Sequence, residues 1–491
     1  MIPGPARLLA DAEVERVHQA SLKVLEDVGL EVNNERAREI YRRHGGVLGD
    51  DGLRVTLPPA VVEEHLRQVP QTFTFGARDP EMDRTVPGDA PLVMTASSAP
   101  DIVDPVSRRT RRATSSDVAL IARLVDRLEG IDLLSVPVLA DDAPADQYSV
   151  TRFYTALKHC RKPVRGSGDP GVDSESILKL AFAVAGDEDT YRAHPFLTHH
   201  YCPVISPLKM DENSTEMLIF YTEQGLPSHP TVVPNGGLTS PITLTGTLVQ
   251  GNAEFLALMA LTQMVRPGTP MLYSSLSTIG DMRSGAYAPG GVECGMLNMA
   301  HAQLARRYGI PCGGYVGLTN AKVCDAQAGY EKALSCMGGL LAGMHVLQFV
   351  GLVDALLAFD WSMAMVDHEI ALMLKRTARG MEAGESSLAL DDIEEVGPAG
   401  MFLTTARTLD LMKDAAFFPQ VADRETRQVW EEAGATDSAD RALGLAREVL
   451  ETDSDTLFSP DQEARIRGEF ADLVEGACDL AADWPARKSS P

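Results

Sequence analysis

The feature that most constrains the fold is a unit that repeats in shape. From residue 113 to about residue 350 the chain passes repeatedly through an amphipathic helix, a Gly or Pro break and a short apolar strand. Apolar periodicity predicts helices over 114–128, 147–159, 174–184, 214–224, 248–265, 292–308 and 327–344. The first opens on Thr114-Ser115-Ser116-Asp117, the spacing of a capping box. The strands that follow lie in IDLLSVPVL, KPVRGSG, PFLTHHYCPV, HPTVVPNGG, TPMLYSSLS, IPCGGYVGL and HVLQFVGL. Strands this continuously apolar are covered on both faces, as in a parallel sheet, and their alternation with helices means βαβ units. Seven are evident; an eighth, for which Met401 to Leu403 is the candidate, would close a (β/α)8 barrel of the TIM type. An open doubly wound sheet, which tolerates seven, is the runner-up. The expected layout is an N-terminal helical lead-in over 1–112, the α/β barrel over 113–410 and a C-terminal helical cap over 411–491. The lead-in contributes helices ending near Gly29 and over 59–68 and a strand over 72–75; the cap contributes helices over 424–433, 439–450 and 462–480.

Charge narrows the partners. With 44 basic and 69 acidic residues the net charge is −25, a surface that repels nucleic acid and anionic membranes. The seven cysteines are odd in number and contain no CxxC pair, which points to free thiols in a reducing compartment. The N-terminus turns polar too early for a signal peptide, and the most apolar stretch, 333–353, contains His345 and Gln348. A cytoplasmic protein with no membrane partner is expected.

Most of the usual chemical signatures are missing: no Walker A, HExxH or GxSxG, and no clustered Cys/His set, so no metal site is expected. His199-His200-Tyr201-Cys202 reads as a strand end lining a cavity more readily than as a zinc site. In a barrel, chemistry sits at the C-terminal ends of the strands. Those ends offer Gly166 to Gly168, His200, Tyr201, Asn235, Ser274, Ser275, Asp281, Tyr315, Thr319, Asn320, Gln348, Phe349 and Asp354. No nucleophile-base pair and no pair of carboxylates stands out. Such a mouth positions a substrate rather than exchanging protons with it. The loop 320–332 runs into a helix with Asp325 at its N-cap; either it is only a capped helix, or Lys322 and Asp325 face the mouth.

Several segments together carry a family resemblance. GGYVGLTNAKVCDAQAGYEKAL, VHQASLKVLEDVGLEV, SPITLTGTLVQGNAEFLALMALTQMVRPGTPMLY, GDMRSGAYAPGGVECGMLNMAHAQLARRYGIP and VADRETRQVWEEAG resemble the trimethylamine:corrinoid methyltransferases of the MttB superfamily, in the same order and over nearly the whole chain. The resemblance implies a (β/α)8 barrel, a homo-oligomer, and methyl transfer from a methylated amine to the Co(I) of a corrinoid (cobalamin) on a separate carrier protein. The chain has no DxHxxG corrinoid signature of its own, so no cofactor is expected on it alone. The trimethylamine enzymes carry pyrrolysine where this chain has Leu318. Leucine offers no electrophile to capture an amine. A donor that is already quaternary needs none, because it leaves as a neutral tertiary amine. The sequence resembles members without pyrrolysine that demethylate quaternary amines such as glycine betaine. A site for such a cation would use aromatic faces and carbonyl or carboxylate oxygens. The candidates are Gln348 and Phe349 above all, then Tyr315, Tyr201, Tyr273, Tyr287, Phe359 and Trp361, with Glu254 as a helix carboxylate or charge partner. A betaine carboxylate would draw on Arg283, Lys322, His200 or loop N–H groups. His345 and His368 match no motif. A sulfonium donor, a tetrahydrofolate acceptor, a zinc-dependent methyltransferase and a non-catalytic binder of methylated cations remain open.

Overall fold

The structure, a computed structural model, describes residues 5–168, 174–452 and 456–487. Eight parallel strands form its centre in chain order: β1 (Leu92–Thr95), β2 (Leu134–Ser135), β3 (Val164–Gly166), β4 (Leu197–Tyr201), β5 (Ser228–Val232), β6 (Tyr273–Ser275), β7 (Cys312–Tyr315) and β8 (Val346–Val350). β8 returns to pair with β1, and Met94 bridges to Leu133 just ahead of β2, so the sheet closes on itself. A helix follows each strand on the outside: α1 (Ser115–Arg127), α2 (Tyr148–His159), α3 (Ser174–Ala185), α4 (Glu212–Glu223), α5 (Leu244–Val265), α6 (Val292–Tyr308), α7 (Ala326–Leu341) and α8 (Trp361–Ala378). The expected (β/α)8 barrel is therefore the fold, and the seven strands read from sequence are β2 to β8. The eighth is Leu92–Thr95, not 401–403, whose three residues are exposed and outside any strand. A hairpin of Asp101–Val103 and Thr110–Arg112 separates β1 from α1. That insertion breaks the rhythm by which the other strands are recognised, and it places the first barrel strand inside the stretch read as lead-in.

The bottom of the barrel is plugged. Phe73–Phe75 pairs with Arg84–Val86, and Phe73, Phe75 and Val86 pack against Leu92, Met94, Leu133, Leu272 and Val346 at the N-terminal ends of the strands. Access to the interior is thus confined to the opposite end, where the loops after the strands gather. The N-terminal region is not only helical. Leu30–Val32, Val47–Leu48 and Arg54–Thr56 join Val204–Ile205 and Lys209–Met210, from the loop after β4, in a five-stranded sheet. α5 runs between this region and the barrel. It is buried on all sides over most of its length, which explains why its sequence has no polar face.

The C-terminal helix Ser438–Glu451 packs on α8 and α1, and Pro460–Glu469 packs on α3 and ends well before the residue 480 expected from sequence. Between α8 and Val421 lies an arm of three short helices, Glu385–Leu388, Leu390–Val396 and Ala406–Ala415. Its side chains Leu388, Leu390, Ile393, Met401, Leu403 and Leu409 are all more than half exposed. The far end of the arm is fixed where the Glu369 carboxylate accepts the N–H groups of Gln420, Val421 and Ala422. No helix among the described residues is long and apolar enough to cross a membrane.

Candidate active site at the mouth of the barrel

Strand alternation decides which side chains enter the barrel. Ser135, Arg165, His200, His229, Thr231, Ser274, Tyr315 and Gln348 enter from β2 to β8, and Ser97 joins them just past β1. Hydrogen bonds link most of them. Arg165 donates from Nη1 to Ser135 Oγ at 2.7 Å and from Nε to His229 Nδ1 at 3.1 Å. The Ser135 hydroxyl donates to Ser97 Oγ at 3.0 Å, which also meets the Tyr315 hydroxyl at 3.2 Å and Gln348 Nε2 at 3.4 Å. On the other side His200 Nε2 lies 3.1 Å from Thr231 Oγ1, which lies 2.9 Å from Ser274 Oγ. The rings of Phe73 and Phe75 stand 6.3 and 6.2 Å from His229 and form the floor. Ser97, Ser98, Ser167, His200, Cys202 and Tyr287 are partly exposed and mark the opening.

The electrostatics of this cluster are unusual. Arg165 is fully buried, and burial pulls its guanidinium below the usual arginine range. Among the described residues no carboxylate pairs with it, its ionisable neighbours being Tyr315 and Cys202, and Nη2 has no partner at hydrogen-bond distance. Burial, reinforced by the Arg165 charge, holds His200 and His229 far below the usual histidine range, so both rings are neutral. Cys202 is pushed up to about 11 by burial and is a thiol at neutral pH. Among the described residues the amide oxygen of Asn235, after β5, is buried without a partner, and the buried hydroxyls of Tyr287 and Thr278, after β6, have only each other. Unmet polar groups in a buried cavity are positions for a ligand or ordered water. Among the described residues no three His, Cys, Asp or Glu side chains converge as metal ligands.

The sequence candidates divide by the face they take. Gln348, Tyr315 and His200 meet in the barrel. Tyr201 and Phe349, their neighbours along the strands, point out of it: the Tyr201 hydroxyl meets Ser228 Oγ at 2.8 Å, and its ring stacks on Tyr221 of α4. Phe349 lies between β8 and α7, with Lys332 Nζ over its ring. Tyr273 also points outward, bonded to Asn252 and His301. Glu254 is a buried clamp, accepting from Ser206 Oγ, Leu208 N and Gln250 Nε2 and so fixing the loop after β4. Asp325 caps α7 through Ala328 N. Lys322 is exposed and pairs with Asp354 at 3.2 Å. Phe359 and Trp361 are fully buried, with Phe359 paired to the strands that follow β8 and β1. Trp361 opens α8, and its ring packs on Phe359 and on Trp484 of the C-terminal segment. Arg283 is 90% exposed and pairs with Asp281. His345 lies at the plugged end, and His368 lies on α8 against Gly130.

Leu318 is buried, 2% exposed, in the loop after β7. That loop is tightly fixed. Gly317 turns at φ +58° against Cys336 and Phe349, where a Cβ would collide. The Glu331 carboxylate accepts from Thr319 Oγ1 at 2.5 Å and Asn320 N at 2.9 Å. Asn320 Nδ2 donates to Tyr287 O at 3.0 Å, stitching this loop to the one after β6. Arg165, His229, Ser135, Ser97 and Thr231 were not singled out from sequence. For Arg165 a signal existed: a charge within an apolar strand buried on both faces has to meet something inside.

Residues 3–473 match the model of the family described as trimethylamine methyltransferase (MTTB). The chain belongs to this family. It is a methyltransferase. Over 467 residues, 94% of this chain and 96% of the relative, it is 32% identical to a glycine betaine methyltransferase of Desulfitobacterium hafniense. It is also 32% identical to the trimethylamine methyltransferase MttB of that species, over 90% of this chain and 89% of the relative. The corresponding enzyme of Methanosarcina barkeri is 29% identical, with 92% of each chain covered. The crystal structure of the monomethylamine methyltransferase of M. barkeri shares the fold, with a TM-score of 0.50 at 12% identity over 94% of this chain and 91% of that one.

Proposed function

We propose that this MTTB-family methyltransferase moves a methyl group from a quaternary amine resembling glycine betaine to the Co(I) corrinoid of a separate carrier protein, in the cytoplasm. The acceptor supplies the nucleophile: Co(I) takes the methyl cation, and the donor departs as a neutral tertiary amine. The observation that carries this reading is the chemistry of the mouth. Apart from Arg165, whose guanidinium is held by Ser135 and His229, its hydroxyls, amide and two neutral histidines include, among the described residues, no charged acid or base placed to serve a leaving group. Leu318 is buried in a loop held by the Glu331 carboxylate. A reaction that transfers no proton fits such a site; capture of a free tertiary amine does not. The chain's contribution is to hold the N-methyl group toward the opening and keep water away from it. Tyr315, with Tyr287 close by, offers aromatic surface to the cation.

The test is an anaerobic assay with cob(I)alamin, following methylcobalamin by absorbance, against glycine betaine, other carboxylated quaternary amines, choline, dimethylsulfoniopropionate and trimethylamine. Transfer from a quaternary amine with trimethylamine silent is the expected result. Transfer from trimethylamine overturns the reading, and transfer only from the sulfonium replaces the donor class.

An oligomer of this chain belongs to the same proposal. The arm over 381–418 carries an apolar face that its own barrel leaves uncovered. It leaves α8 at Ala378, beside Pro87, Gly343 and His345 at the plugged end. A carrier at the mouth therefore stands at the other end of the barrel, and a second copy of the chain is the occupant proposed for the arm.

A further inference from the structure

We infer that Arg165 is the anchor for a carboxylate on the methyl donor, so that the site accepts a zwitterion and rejects a simple quaternary cation. This rests on the reading of the barrel mouth as a methyl-donor site. A guanidinium removed from water is costly unless an anion or a full set of acceptors compensates it. Arg165 is fully buried at the barrel centre, yet its partners are neutral groups, Ser135 Oγ, His229 Nδ1 and the neighbouring Tyr315 hydroxyl, and Nη2 donates to nothing at hydrogen-bond distance among the described residues. The free donor therefore sits beside the network that opens toward the mouth.

The same charge acts on the donor's other end. A lone quaternary cation entering this space is repelled by Arg165, and no carboxylate among the described residues offsets the repulsion. A zwitterion avoids the conflict by setting its carboxylate on Nη2 over the Phe73–Phe75 floor and its ammonium outward, toward Tyr315 and His200. That orientation places the N-methyl groups at the opening, where an acceptor on another protein can reach them. His229 contributes by staying neutral: its Nδ1 accepts from Arg165 Nε and holds the guanidinium in place without cancelling its charge. Arg165 is in this sense a specificity-determining residue that touches the donor away from the transferred methyl.

The experiment is calorimetry on the whole chain, without cobalt, using trimethylammonium carboxylates of increasing chain length, each paired with its own methyl ester, and choline. The wild-type protein is expected to bind one acid at least about 100-fold more tightly than its ester, because the ester leaves the buried guanidinium unmet. Arg165→Gln is expected to bring acid and ester within about threefold of each other, and Arg165→Lys to restore part of the preference. Equal binding of acid and ester by the wild type overturns the inference without using any variant. So does a preference that survives in Arg165→Gln, or failure of every pair to bind. The cob(I)alamin assay separates the two readings. Carboxylate-selective binding without methyl transfer leaves the anchor standing and removes the proposed function. Methyl transfer that runs equally from ester or choline does the reverse.

Discussion

At the scale of single residues, burial fixes protonation, and two measurements follow. His200 and His229 stay neutral because burial and the Arg165 charge hold them far below the usual range. No group in the network changes charge through neutrality as part of the proposed reaction. The rate of methyl transfer at saturating donor is therefore expected to be flat between about pH 6 and 9. A bell-shaped profile measured with cob(I)alamin would show a proton transfer that the proposal lacks. His199 bears on stability instead. Its ring stacks at 3.7 Å on Tyr221, neither nitrogen has a hydrogen-bond partner among the described residues, and burial lowers its pKa to about 3. In the unfolded chain the same ring takes a proton near pH 6.5. The folded state thus binds fewer protons between those values. Its contribution is complete above pH 6.5 and is lost as the pH falls, by about 2 kcal/mol from pH 6.5 to 5. His199→Phe, by denaturant titration at both pH values, is expected to remove that part of the acid sensitivity. An unchanged slope would show that His199 is not kept neutral. The alternation that separates His199 from His200 was legible in the sequence as a strand, but not its phase. For that reason Tyr201 and Phe349 were grouped with neighbours that face the other way.

Elements were more legible than their roles. All seven helix-strand units are present because amphipathic periods and Gly or Pro breaks are local properties of the sequence. β1 escaped because a hairpin intervenes before α1, and the arm escaped because its short helices have no apolar face committed to the barrel. Arg165 escaped because its strand was read at its glycine end. The Phe73–Phe75 hairpin was legible as a strand, but its place under the barrel depends on contacts distant in sequence. Its role as floor makes a prediction. Phe73→Ala should cost about 3–5 kcal/mol, the usual range for a fully buried phenylalanine, by opening a cavity among Met94, Leu133 and Leu272. A loss below 1 kcal/mol in denaturant unfolding would mean that the hairpin does not seal the barrel. A second element-scale test concerns the junction of α7 and α8. Lys332 Nζ and Asp367 Oδ2 meet at 3.0 Å with both side chains fully buried. The same ammonium donates to Phe349 O, and the same carboxylate accepts Gly351 N, so the pair clamps both helices onto β8. Removing one partner strands a buried charge. Lys332→Met alone should destabilise by about 3–5 kcal/mol, and adding Asp367→Asn should recover most of that loss. A double variant as unstable as the sum of the two single variants would show the groups are not coupled.

At the scale of the whole molecule the two ends of the barrel are assigned different work. The mouth collects the polar network, and the plugged end carries the arm. Leu390, Ile393, Met401 and Leu403 are between 53% and 68% exposed. Exposed apolar residues scattered singly are ordinary, but this many along one arm support the proposed contact with a second copy. A stable interface needs about 800 Å2 from each partner, which an arm of three helices can supply when it lies along a second copy. The chain alone has a mass of 52.9 kDa, and light scattering on the purified protein is expected to give a multiple of it. Leu390→Glu combined with Leu403→Glu places charges on the apolar face without touching the barrel core. That variant is expected to run as the single chain while binding the donor within about twofold of wild type, because the proposed donor site lies at the other end. A wild-type protein that is already monomeric would remove the second copy from the arm. A variant that keeps its mass would show that the copies meet elsewhere. If the variant also loses donor binding, the two ends are not independent, and the site depends on assembly through the helices that join them.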